Sequence, residues 1–202
     1  MTQLSSEDWL EFDAIVDANG PSINPSLHNE IVFRGSDEEI TLEYVRAPFE
    51  DSVLVSELLE KDPNKFKDAG FYTILPVAKS LEMHIRLLAL GSNKEQFENS
   101  DFHLSKCLNL IQKMVDGKVE ISDKFEGFNK KNVPFAGDFF DNFMSRESEE
   151  STRMIKKARY IYLQGNPYRH NKVKSWTEIK SEFKNIRKAF NQFTKLFNEL
   201  VG

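Results

Sequence analysis

Residues 71–90 constrain the fold of this chain more than any other stretch. Apolar side chains at Phe71, Ile74, Ala78, Leu81, Ile85 and Leu88 recur every three or four residues, the spacing of one helix face. Val77, Met83, Leu87 and Leu90 widen that face until little polar surface is left. A helix that is apolar almost all round needs neighbours on most sides and belongs in the middle of a bundle. Its polar exceptions, Lys79, Glu82 and Arg86, lie three and four apart and therefore share one strip. Pro76 lacks a backbone donor, so the helix either starts near it or kinks there. Gly91-Ser92-Asn93 ends it.

The 202 residues are enough for one substantial core, and 17 Phe against 5 Tyr and 2 Trp require that many rings be buried. A single cysteine, Cys107, excludes an intrachain disulfide and a cysteine-based zinc site. The amino terminus is acidic with no apolar h-region, and no apolar run approaches the ~20 residues of a membrane span. A cytoplasmic protein without membrane contact is expected. Charge is unevenly spread. Residues 1–62 carry 15 Asp/Glu against 3 Lys/Arg, whereas residues 151–202 carry 3 against 12. The basic end is either a nucleic-acid surface or the partner of the acidic front within the fold or a dimer.

Along the chain, Ser5 or Ser6 caps a first helix that Asn19-Gly20-Pro21 stops. Ile31 to Arg34 and Glu39 to Val45 flank Gly35-Ser36-Asp37-Glu38. Ile40, Leu42 and Tyr44 alternate there with Glu39, Thr41 and Glu43, the period of a half-buried strand, so a small β-hairpin is expected. Ser52 opens a short helix to Glu60. Together, residues 1–62 read as an N-terminal helix-and-hairpin appendage, and 63–202 as the bundle. After the central helix, another is expected from about Asp101, with Leu104, Leu108, Ile111 and Val115 inward and Gly117 as its cap. Phe125, Phe128, Phe135, Phe139, Phe140 and Phe143 mark a loop that packs by its aromatics, with a short helix near 136–145. Glu149 to Leu163 is helical, stopped by Gly165-Asn166-Pro167. The last helix carries a capping box, Ser175 with Glu178, and a heptad-like seam of Trp176, Ile179, Phe183, Ile186, Phe190, Phe193, Phe197 and Leu200. So many Phe are too bulky for a tight two-stranded coiled coil, so this seam docks along the bundle.

Chemistry is harder to find. Glycine-rich phosphate loops are absent, and none of His28, His84, His103 and His170 has a partner at metal-ligand spacing. Neither a metal nor a cofactor is expected. Cys107 shares a face with Leu104, Leu108 and Ile111 and reads as a buried, inert thiol; His84, aligned with Val77, Leu81 and Leu88, reads as a hydrogen-bonded core histidine.

One constellation stands out: Ala78-x-x-Leu81-Glu82-x-x-Ile85-Arg86-x-Leu88, then Asp101-Phe102-His103-Leu104 at the next helix start, then Arg159-Tyr160 late in a long helix. Over roughly residues 66–165 this resembles the HEPN superfamily of helical-bundle domains. The resemblance implies a mainly α, HEPN-like bundle in which Glu82, Arg86, His103, Arg159 and Tyr160 form a polar latch or a ligand contact. Many members are metal-independent endoribonucleases whose signature is Arg, four to six residues, then His. No Arg stands five to seven positions before any of the four histidines.

The resemblance therefore implies a non-catalytic domain acting in homodimerisation and in RNA, nucleotide or partner binding, in a defence or toxin–antitoxin setting. A basic surface of Lys156, Lys157, Arg159, Arg169, His170, Lys172 and Lys174 would make the RNA contact. Two other readings stand beside it. One is a divergent endoribonuclease using His103 or His170 with Arg159 or Arg169. The other is a plain interaction bundle, which predicts an exposed seam on Phe183, Phe190 and Phe197.

Overall fold

A computed structural model describes residues 40–91, 97, 103–117, 142–146, 148–170 and 172–201. These are mainly helical, and no strand occurs among them. The long helices are α1 (Leu42–Lys61), α2 (Ala69–Leu90), α3 (Leu104–Val115), α4 (Ser148–Arg169) and α5 (Trp176–Val201). Among the described residues, no helix is long and apolar enough to cross a membrane.

Helix α2 is the hub: it packs against α1, α3, α4 and α5. Ile74, Val77, Leu81, Ile85, Leu87 and Leu88 are all fully buried, as the all-round apolar pattern requires. Phe71 departs from that pattern; it lies in the first turn and is 46% exposed. The helix starts seven residues before Pro76, at an Asp68 N-cap whose carboxylate accepts the Phe71 N–H at 3.1 Å. Gly91, at φ 80°, closes it with an N–H to the Leu87 carbonyl at 2.8 Å.

The second strand of the expected hairpin is helical from Leu42 onward; the first strand and the helix expected near Ser5 lie outside the described residues. Thr41 is extended and its Oγ1 accepts the Tyr44 N–H at 3.1 Å, the N-cap arrangement. From there the inward positions are Val45, Phe49, Ser52, Ser56 and Leu59. A strand would have turned Tyr44 inward and Val45 outward; instead Tyr44 is exposed and Val45 is fully buried. Six residues of alternation are outvoted by five turns of helical periodicity. Ser52, expected as a cap, is a core residue of α1 whose hydroxyl donates to the Phe49 carbonyl at 2.6 Å. Ser80 donates to the Val45 carbonyl at 2.6 Å and ties α2 to α1. Residues 40–61 thus share the core of the bundle, and the Phe49 ring stacks on Phe190 of α5 at 4.4 Å.

Helix α3 begins at Leu104, with His103 as its N-cap residue; Asp101 lies outside the described residues. Gly117, at φ 68°, follows it and donates to the Met114 carbonyl at 3.0 Å. Residues 142–145 are helical and bury Phe143; the other five phenylalanines of the aromatic loop lie outside the described residues.

Helix α4 does not stop at Gly165-Asn166-Pro167 but runs on to Arg169. Gly165 marks a crossing rather than a terminus: a Cβ placed there would lie 2.3 Å from the Cβ of Ala78 on α2. A Cβ on Gly70 would likewise meet the Tyr168 ring at 2.1 Å. Two glycines therefore let α2 and α4 approach closely, and Pro167, near the end of α4, costs it one backbone hydrogen bond without ending it there. The last helix follows its sequence pattern. All eight seam residues from Trp176 to Leu200 are buried. The Ser175 N–H donates to Glu178 Oε2 at 2.8 Å, and the Ser175 hydroxyl donates to the same oxygen at 2.6 Å.

Candidate polar node and basic surface

The polar strip of α2 is partnered from the end of α4. Glu82 is half-buried, and Arg169 Nη2 donates to its Oε2 at 2.7 Å. Lys79 Nζ approaches Oε1 at 3.3 Å and Arg86 Nη2 lies 3.9 Å from the same oxygen. Burial alone would raise the Glu82 carboxyl above its usual range. The charge of Lys79 and the hydrogen bond and charge of Arg169 outweigh it and hold the carboxyl below that range. Burial lowers the Arg86 guanidinium, partly offset by Glu82. Arg86 also donates to the Phe97 carbonyl and lies over the Phe97 ring at 5.6 Å. One carboxylate thus holds three cations and clamps the end of α4 to the hub.

The polar residues taken from the resemblance fall in three places. Glu82 and Arg86 sit together in this node. His103 is exposed at the start of α3. Arg159 donates to Asn109 Oδ1 at 2.9 Å, linking α4 to α3, and Tyr160 beside it is 37% exposed. Lys79 shares the helix spacing of Glu82 and was visible from it. Arg169 was not, because the glycine and proline before it mask the continuation of α4.

The expected basic surface divides in two. Its C-terminal part is engaged with the fold: Arg169 on Glu82, Lys172 over the Tyr168 ring at 4.9 Å, and Lys174 Nζ at 3.6 Å from Glu182. Tyr168 donates its hydroxyl to the same Glu182 at 3.2 Å; burial and then that carboxylate raise its pKa. His170 is exposed beside them. The N-terminal part faces solvent. Lys156 is exposed and Lys157 half-exposed on α4, while Arg159 is held to Asn109; Arg153, outside the expected set, is exposed one turn before Lys156. On α5, Lys184, Arg187, Lys188 and Lys195 are exposed as well, while Lys180 pairs with Glu60 of α1.

The remaining candidates are structural. His84 is enclosed by Phe190, Phe193 and Phe197, with ring centroids 5.2–5.7 Å away, and its Nδ1 donates to the Ser80 carbonyl at 2.8 Å. Burial lowers its pKa to about 4, opposed by that bond and assisted by the Arg46 charge, so it is neutral at pH 7. Burial raises the Cys107 thiol and keeps it protonated. No cluster of His, Cys, Asp or Glu fit for a metal ion occurs among the described residues. The Phe183, Phe190 and Phe197 seam is consumed by the core, so it offers no docking face. No family model, curated protein or solved structure matches the chain.

Proposed function

We propose that this chain is a non-catalytic, HEPN-like helical domain that contacts RNA through the outer face of α4. The observation that carries this reading is a cationic run with no acidic residue inside it, whose first members face solvent. From Ser151 to Thr177 the chain has seven Lys/Arg, one His and no Asp or Glu. Arg153 and Lys156 within it are exposed to solvent. Such a surface attracts phosphates irrespective of sequence and releases their counterions on binding. The commitment of Arg169 to Glu82 favours binding over cleavage, since a guanidinium holding two helices together is a poor candidate for a moving phosphate.

Fluorescence anisotropy with a labelled mixed-sequence RNA, in EDTA and at two salt concentrations, tests the reading. Three neutralised phosphates on a single strand would weaken binding about 20-fold between 50 and 200 mM salt. The double variant R153E/K156E should abolish it, and the RNA should remain intact throughout. RNA that neither wild type nor variant binds would refute the contact. Cleavage lost in His170→Ala would instead establish an enzyme.

A further inference from the structure

The RNA-facing surface of α4 is not uniformly basic. Moving along one face, Arg153 is followed by Lys156, then Tyr160, then Leu163, at steps of three, four and three residues. All four are exposed, Tyr160 to 37% and Leu163 to 63%. At 1.5 Å per residue this line is about 15 Å long. Tyr160 and Leu163 are among the few large apolar side chains that the described residues leave in water. The sequence neighbour of Tyr160, Arg159, is directed to Asn109 of α3.

We infer that Tyr160 is a stacking platform for an unpaired base, with Arg153, Lys156 and Lys157 taking the adjacent phosphates, so that the surface selects single-stranded over duplex RNA. The inference rests on the RNA reading above and names its substrate class. A ring interleaved with cations is the arrangement that tolerates any base, because every base presents a π-face. In a duplex those faces are already stacked on one another and the A-form grooves offer the ring nothing comparable. A second copy of this chain is a poor occupant. A two-fold contact centred on Tyr160 and Leu163 would bring two sets of Arg153, Lys156 and Lys157 together without an acid between them. An acidic protein segment would meet the cations but would leave the ring without a stacking partner.

The test compares a fluorescein-labelled 12-nucleotide single strand with the same sequence as a duplex, using the full chain and the variants Y160F, Y160L and K156A. The single strand should bind at least tenfold more tightly than the duplex. Tyr160→Leu keeps the apolar bulk and should weaken single-strand binding about tenfold, whereas Tyr160→Phe should stay within about twofold. Neither should change the dependence on salt, while Lys156→Ala should lower the salt slope by about 0.7. Circular dichroism melts of each variant check that this exposed position leaves the fold intact. Equal binding of both RNAs with Y160L unaffected would overturn the stacking inference and leave RNA contact standing. Competition by poly-glutamate as effective as by RNA, with Y160L weakening both alike, would overturn it in favour of a protein ligand. Absence of any RNA binding would sink both.

Discussion

At the scale of single residues, the core is most exacting around His84. A histidine fully enclosed by three phenylalanine rings can be kept only as the neutral form, and its Nδ1 proton is already given to the Ser80 carbonyl. Its pKa falls from 6.5 to about 4 on folding. The unfolded chain therefore binds a proton that the folded chain refuses, and stability must fall as pH drops below 6.5, with the loss complete near 4. Between pH 7 and pH 5 this one group should remove about 2 kcal/mol. The Glu82 carboxyl, also lowered on folding, adds a loss of the same sign only below about 4.5, so the two separate on the pH axis. Urea unfolding at pH 7, 6 and 5 should show the midpoint falling for wild type and flat for His84→Leu, which keeps the bulk and loses the titration. A midpoint that falls equally in the variant would assign the loss to another group.

Among the elements, what could be read in advance depended on whether one periodicity stood alone. Helix α5 was readable because its cap, Ser175 with Glu178, and its apolar seam point the same way over twenty-six residues. The start of α1 was not, since Ile40, Leu42 and Tyr44 imitate a strand and only the more distant Phe49 and Leu59 extend the helical spacing. The Glu82–Arg86 pair followed from spacing within α2, whereas its strongest partner, Arg169, depends on how α2 and α4 cross. That crossing hid behind Gly165, whose usual meaning is a stop. Its actual role yields an inverted substitution effect. Gly→Ala inside a helix ordinarily stabilises by about 1 kcal/mol. Here the added methyl would stand 2.3 Å from Ala78 Cβ, a short, unbranched group with no rotamer to move aside. The helices must separate instead, so Gly165→Ala should destabilise by about 1–3 kcal/mol. A thermal melt decides: a raised Tm would mean that α2 and α4 do not meet at this glycine.

For the molecule as a whole, charge is sorted by position in the chain and only partly cancelled by the fold. Lys180 on Glu60, Arg169 on Glu82 and Lys174 on Glu182 each join a basic residue of the last two helices or their connection to an acid, two of the acids lying on earlier helices. Lys195 lies 3.8 Å from Glu199 on α5, whereas Arg153, Lys156, Lys184, Arg187 and Lys188 are left facing solvent on α4 and α5. The protein is therefore anionic in sum, with a net charge of −5 and a pI near 5.5, yet cationic on this side. Net charge alone predicts that it should pass through a heparin column at pH 7. Local charge predicts retention, because interactions beyond about 10 Å are screened at 0.1 M salt and a bound polyanion responds mainly to the face it touches. We expect the wild-type chain to bind heparin in low salt and to elute as salt rises, and R153E/K156E to elute substantially earlier. Wild type in the flow-through would mean that the acidic part of the chain neutralises α4 and α5 in solution. Retention that R153E/K156E leaves unchanged would move the polyanion contact from α4 to the lysines of α5.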